Sequence, residues 1–250
     1  LIEYRIYEDL RRGWRVIQPN LEQCGLLCIE YKGLDELCAA GENWTDVSPF
    51  RNLSSDKRME ILTTLLDHFR RKLAIFVPCL QETYHLQLVK RVQQHINERW
   101  GFDETERLRA GTRFVLPGYE RINDEDLSLS EATLLGRYLR KALSLEEDYS
   151  AFIHRLLTVL SSFGLIKLGK DRRSEHAQLD ASCLLWAECD RDSPPPDPIY
   201  AGRVKHPQYQ EAAKNANQYF RDFYRERALS LKKLAGLPHT AQVKYEDRQD

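Results

Sequence analysis

"SSFGLIKLGKDRRSEHAQLDASCLLWAEC", residues 161–189, decides how this chain is read. It begins at the end of a helical apolar period and stops at Gly164. The short apolar "LIKL" then reads as a strand, "GKDRRSEHA" as a charged loop, and "QLDASCLLWAEC" as a longer β-type run. Upstream, Ser128 with Glu131 and Ser144 with Glu147 each have the spacing of a capping box, in which two side chains satisfy each other's backbone donors. The first box precedes Leu134, Leu135, Tyr138 and Leu139. The second precedes Tyr149, Phe152, Ile153, Leu156, Leu160 and Phe163, all at helical spacing. Helix, helix, strand, charged loop, strand is the winged-helix order, so residues 119–190 are expected to form a winged-helix-like unit.

Working outward, residues 1–118 read as a helical accessory region. Ile2, Ile6 and Leu10 share one helical face before Gly13. Asn20 with Gln23 caps a short turn of helix that Gly25 ends, and Leu26–Tyr31 reads as a strand. This helix–Gly–apolar–strand junction returns at 160–170. Ser54 or Ser55 caps a long helix whose Leu62, Leu65, Leu66, Phe69, Leu73 and Phe76 keep a 3.6-residue period until Pro78. A second helix carries Leu80, Tyr84, Leu88, Val92, Ile96 and Trp100, and Gly101 ends it. The two are expected to form an antiparallel hairpin. "DRDSPPPDPIY", 190–200, reads as a linker because consecutive prolines cannot donate to a ladder. Beyond the linker (191–204), residues 205–250 carry a last amphipathic helix with Ala216, Phe220, Phe223, Leu231 and Leu234 on its apolar side. The fold class is therefore mainly α with a small β component.

With 250 residues, 42 % apolar and 30 % charged, the composition is that of a globular chain. The formal charge of −1 hides local asymmetry. Eight Lys/Arg face four Asp/Glu between Arg137 and Arg173, and eight face three between Arg203 and Lys233, while 119–131 leans acidic. The six cysteines form no C-x-x-C pair and no His has finger-like spacing, so no zinc site is expected; Cys79 and Cys183 sit in apolar runs and read as buried thiols. The apolar run Leu73–Val77 ends at Pro78, far too short to span a bilayer, and no signal peptide opens the chain, so a cytoplasmic protein with no membrane partner is expected. A chain that opens on Leu1 is expected to be a piece of a longer polypeptide.

The sequence holds no G-x-x-x-x-G-K-[ST] or G-x-G-x-x-G loop, no D-E-x-D or D-E-x-H box, and no Ser–His–Asp or Cys–His set with catalytic spacing. No catalytic residue is expected. In a winged helix the second or third helix enters a groove or lies on phosphates, and the wing touches a neighbouring groove. Lys167, Lys170, Arg172 and Arg173 would lie on strand and wing, and Arg137, Arg140, Lys141 and Arg155 on the helices. Contacts of this kind supply affinity without sequence information. The alternatives are ordinary surface charge or a winged helix that binds protein.

Two segments, "GWRVIQPNLEQCGLL" (13–27) and "NANQYFRDFYRERALSLKKLAGLPHTAQVKYEDR" (215–248), resemble parts of very large bacterial DEAD/DEAH-box helicases of superfamily 2. Within these, the resemblance is to the helicases of the Druantia antiphage system and the related MrfA-like repair helicases. It implies an accessory, DNA-contacting segment of an ATP-dependent DNA helicase or translocase that ends at the entry to the second RecA-like lobe. By that match His239, Thr240, Gln242 and Arg248 would shape a turn near the DNA and the cleft between lobes. ATP and Mg would bind motor lobes elsewhere in the same polypeptide, leaving this segment inactive by itself. Arg221 and Arg225, with Tyr219 and Tyr224, would line the path of duplex or single-stranded DNA. Other defence-system proteins are further expected partners. The competing reading is a protein-interaction or autoinhibitory winged-helix module without DNA contact. A free-standing transcriptional regulator would require sequence preference and a dimer, and no extended heptad supports one.

Overall fold

Helix α4 (Ser55–Arg71) organises the molecule. Ser54 accepts a hydrogen bond from the Lys57 N–H at 3.3 Å, which satisfies one of the orphan donors of the first turn. Ile61, Leu62, Leu65, Leu66 and Phe69 follow at spacings of one, three and four, and all are fully buried. The helix ends five residues earlier than its apolar period suggests. Leu73 takes a left-handed φ of 60°, and Ile75–Phe76 become strand β2. The computed structural model describes residues 1–11, 19–97, 100–103, 105–201 and 216–231. Roughly half of the described residues are helical, with a small mixed β component.

Before α4 come α1 (Ile2–Asp9), β1 (Leu27–Tyr31), α2 (Leu34–Ala39) and α3 (Ser48–Arg51). After β2 come α5 (Glu82–His95), β3 (Phe114–Val115), β4 (Leu127–Ser128), α6 (Leu134–Leu143), α7 (Tyr149–Ser162), β5 (Ile166–Lys170), β6 (Glu175–Asp180), β7 (Leu184–Glu188), α8 (Pro198–Ala201) and α9 (Gln218–Leu231). Strand β6 is the hub of a five-stranded sheet. Its whole length pairs antiparallel with β5, while its other edge is shared by antiparallel β3 (Phe114↔Ala177) and parallel β2 (Ile75↔Leu179). Strand β4 lies parallel to β3. A separate two-stranded ribbon joins β1 to β7 in antiparallel register, Ile29 opposite Trp186. One core cluster takes residues from Tyr4 to Ile199, so residues on both sides of the expected 118/119 boundary share an interior.

Several local expectations are corrected. Both capping boxes are displaced: Thr133 caps α6 and Asp148 caps α7, each accepting from a backbone N–H three residues on. Ser128 lies in β4, and Ser144 ends α6 in a left-handed conformation. The run 178–189 is not one strand. The Asp180 side chain accepts from the Ser182 N–H at 2.9 Å and sets a 3-10 turn over 181–183 that sends β6 and β7 to different sheets. In α1 the buried side chains are Tyr4, Tyr7 and Glu8, whereas Ile2 and Ile6 face outward. Helix α5 packs on the 78–80 turn and against Tyr4 through His85 rather than forming a long hairpin with α4.

Other signals hold. Asn20 and Gln23 bond reciprocally, N–H to side-chain oxygen, at 2.9 and 2.8 Å. Gly25 follows with φ 71°, and any Cβ there would sit 2.0 Å from the Arg191 carbonyl oxygen, so only glycine fits. Cys79 and Cys183 are buried free thiols that burial pushes up to about 12. Cys28 and Cys189, 161 residues apart, form a disulfide across the β1–β7 ribbon. Among the described residues no helix is long and apolar enough to cross a membrane.

Candidate nucleic-acid interface

The charged loop of the opening stretch is a tight hairpin tip. Asp171 donates its N–H to the Ser174 carbonyl at 2.8 Å, which closes the connection between β5 and β6 and leaves Arg172 and Arg173 exposed at the turn. Neither arginine has an ion pair among the described residues. Asp171, the one acid among the turn residues 171–174, is engaged by Arg113 at 3.0 Å. Arg113 in turn holds Asp126 through two bonds of 2.9 Å, and Asp126 also accepts from the Ile122 and Asn123 N–H groups. Burial opposes ionisation of Asp126, but Arg113 and these N–H donors hold its carboxyl below the usual range. Arg113 is shared between Asp171 and Asp126 and Glu175 lies opposite Lys170, so the tip's surplus is a single positive charge, carried outward on Arg172 and Arg173. His176 adds none. Its ring packs against Gly169 where a Cβ would be only 2.3 Å away, and burial, then the Arg113 charge, lower its pKa.

The hairpin is set beside helix α7 by the segment 116–120. Leu116 donates its N–H to the Glu175 carbonyl at 2.9 Å, and Glu120 donates to the Arg173 carbonyl at 3.3 Å. Tyr119 is held through its hydroxyl by the Glu175 carboxylate, which raises its pKa, and its ring lies 6.1 Å from that of His154. Helix α7 buries Phe152, Ile153, Leu156, Leu157 and Leu160 and packs on β5. Its opposite side shows Ala151, His154, Arg155 and Thr158. The surface thus assembled is an exposed helix flank, an aromatic bridge and a cationic hairpin tip. Tyr119 and His154 were missing from the sequence-based set. His154 and Thr158 are legible as the off-core positions of α7, whereas nothing local marks Tyr119.

The expected cations do not form one patch. Arg172, Arg173 and Lys170 stand at the hairpin end, all exposed. Lys167 lies on the other face of β5 from Lys170, because side chains alternate along a strand, and its ammonium sits 5.8 Å from the Phe76 ring centre. Arg137 and Lys141 are exposed on α6, which packs against α4 and α8 instead of the hairpin. Arg140 is paired with Glu131 and Arg155 with Glu147. Arg221 is corrected outright as a path-lining residue. It is 4 % exposed, pairs with Asp190 and Asp192, and donates to the Arg191 carbonyl at 3.0 Å. Arg225 also reaches Asp190, at 2.7 Å. Tyr224 donates to the Pro19 carbonyl, so it packs α9 onto the body, while Tyr219 is exposed. His239, Thr240, Gln242 and Arg248 lie outside the described residues.

Among the described residues no group of three or more His, Cys, Asp or Glu side chains is placed to hold a metal ion. The neutral α7 flank and the charged tip together can lie on a sugar–phosphate backbone, with the guanidiniums on phosphate oxygens. Comparison with protein-family models, curated proteins and solved structures returned no match to this chain.

Proposed function

We propose that this chain grips DNA phosphates through the flank of α7 and the β5–β6 hairpin, as the accessory segment of an ATP-dependent DNA helicase or translocase in antiphage defence. The observation that carries the reading is the hairpin tip, where Arg172 and Arg173 are exposed and the neighbouring Asp171 is engaged by Arg113. Strand β3 on β6, helices α6 and α7, and the β5–β6 hairpin follow the winged-helix order, and the two segment resemblances supply the helicase context. ATP and Mg would act in motor lobes of the same polypeptide, and this stretch would supply grip in the cytoplasm rather than hydrolysis. Fluorescence anisotropy with a labelled duplex and with a labelled single strand tests the reading. Arg172→Glu with Arg173→Glu should lower affinity for the bound form by at least about 100-fold, since each reversal both removes a charge-assisted bond and adds repulsion. Equal affinity of the wild type and this variant overturns it.

A second reading, a protein-interaction or autoinhibitory module, is favoured by one observation. Four of the ten expected cations (Arg140, Arg155, Arg221 and Arg225) are already paired with this chain's own carboxylates. Absence of binding to either DNA form at low salt would select this second reading.

A further inference from the structure

Strand β1 has an edge that pairs with no other strand among the described residues and faces a groove. Lys32 donates its N–H to the Cys183 carbonyl at 2.8 Å and Cys189 donates to that of Leu26 at 3.2 Å. With Ile29 opposite Trp186, these bonds fix the phase of the ladder: Leu26, Cys28, Glu30 and Lys32 point their backbone groups at β7, and Leu27, Ile29 and Tyr31 point theirs away. The Leu27 N–H is taken by the Leu21 carbonyl at 3.3 Å. The outward N–H and C=O groups of Ile29 and Tyr31 have no partner among the described residues, although Tyr31 is only 6 % exposed. Along this edge runs a cavity of about 660 Å³. Its far wall is one face of α4, with Met59, Thr63, Thr64 and Asp67 at helical spacing, and its end is closed by Pro195, Pro196 and Pro198. The floor is rigid: the Tyr31 hydroxyl donates to Asp67 at 2.7 Å, and Arg70 holds Asp67 and Glu22 together.

We propose that this groove binds an extended, uncharged peptide segment of another protein, which adds as a strand to the outward edge of β1. An unpaired row of alternating donors and acceptors is complemented most fully by another backbone in β conformation, and such additions draw affinity from the main chain and selectivity from alternate side chains. Five residues of β1 span about 17 Å, the length of a five-residue extended segment. Charge selects the partner class. Of the five lining carboxylates, Glu22 and Asp67 are held by Arg70 and Arg71 and Glu60 by Lys57, which leaves Glu30 and Asp35 balanced by Lys32 and Arg191. The groove therefore has no net field to draw a polyanion or a polycation and suits an uncharged segment. Ile29, Leu34, Met59 and Leu185 provide the apolar contacts that alternate side chains of the incoming strand would bury.

The test uses the full 250-residue chain and no nucleic acid, so its outcome is separate from that of the DNA reading. Displayed random peptides of about a dozen residues are selected on the protein, and the best are labelled and titrated by fluorescence anisotropy. Selected peptides should bind with Kd of about 10 μM or tighter and lose at least about tenfold when alternate peptide nitrogens are methylated. Ile29→Pro removes the outward N–H and leaves the ladder to β7 intact, because edge strands tolerate proline on that side. It should weaken binding about tenfold or more. Thr63→Arg, which fills the groove from the exposed side of α4, should do the same while circular dichroism stays unchanged. The proposal is overturned if selection yields no binder, if binders ignore both substitutions and methylation, or if the edge instead pairs two copies of this chain, seen as dimerisation that Ile29→Pro abolishes.

Discussion

Substituting Arg70 should cost more stability than substituting any of the exposed arginines. Arg70 has no exposed surface, and it ties three stretches that are distant in sequence. Its two terminal nitrogens meet Glu22 at 2.8 and 2.6 Å, one of them also meets Asp67 at 2.9 Å, and its Nε lies 3.4 Å from the Tyr31 hydroxyl. Burial disfavours the guanidinium charge, but Tyr31, Asp67 and Glu22 outweigh it and raise its pKa well above the usual value. Burial, then Asp67, likewise push the Tyr31 phenol up. Arg70→Met would leave two buried carboxylates without their main partner, a loss of about 3–5 kcal/mol for broken pairs of this kind. Arg71 lies 3.2 Å from Asp67 and 3.6 Å from Glu22, so some compensation survives and the lower end, about 3 kcal/mol, is expected. With a guanidinium m-value of about 5 kcal/mol/M, the unfolding midpoint should fall by about 0.6 M. Glu22→Leu added to Arg70→Met should recover part of the loss, because the uncompensated charge is then gone. A midpoint shift for Arg70→Met below about 0.2 M would refute the reasoning.

Breaking the Cys28–Cys189 crosslink by Cys28→Ser should lower stability by up to about 5 kcal/mol on chain-entropy grounds, measured as the difference between oxidised wild type and variant in denaturant. The wild type in dithiothreitol should match the variant, and an unchanged midpoint on reduction would contradict the crosslink. His176 has a folded pKa below its unfolded value, so the unfolded chain binds its proton first. Its contribution should be undiminished above about pH 6.5 and should turn destabilising as pH falls from there toward the lowered folded pKa. His176→Asn should flatten the stability profile over that window, with the charges of Asp171, Arg113, Asp126 and Glu175 left in place; an unaltered profile would remove His176 as its source.

How much of this was legible in the sequence differs from element to element. The cap and buried face of α4 and the reciprocal Asn20–Gln23 bonds are encoded by neighbours a few residues apart and read correctly. So does the order strand, loop, strand after Gly164, although the ladder takes in Gly169, Lys170 and Glu175–Ala177 of the expected loop and leaves only 171–174 as the turn. The end of α4 did not, because Leu73–Phe76 continue the helical period and only pairing with β6 makes Ile75 and Phe76 a strand. Thr133 and Asp148 displaced the expected capping boxes since each sits nearer the first buried turn of its helix. At the candidate site, the exposed cations of the hairpin were predictable from the polar loop between two β-type runs. The burial of Arg221 was not. It depends on Asp190 and Asp192, about thirty residues away across a proline-rich stretch that read as a plain linker. The β1 edge was recognisable as a strand, but a free edge is a statement about which partners are missing, and that is set by the whole fold.

The central claim, that the hairpin tip lies on phosphates, is tested most directly by the salt dependence of duplex binding. Lys170, Arg172 and Arg173 each on one phosphate give a slope of log K against log salt of about −2.7, a loss of about 40-fold between 50 and 200 mM. Arg172→Ala with Arg173→Ala should make that slope shallower by about 1.8. A slope that is the same in the wild type and the double variant would contradict the account.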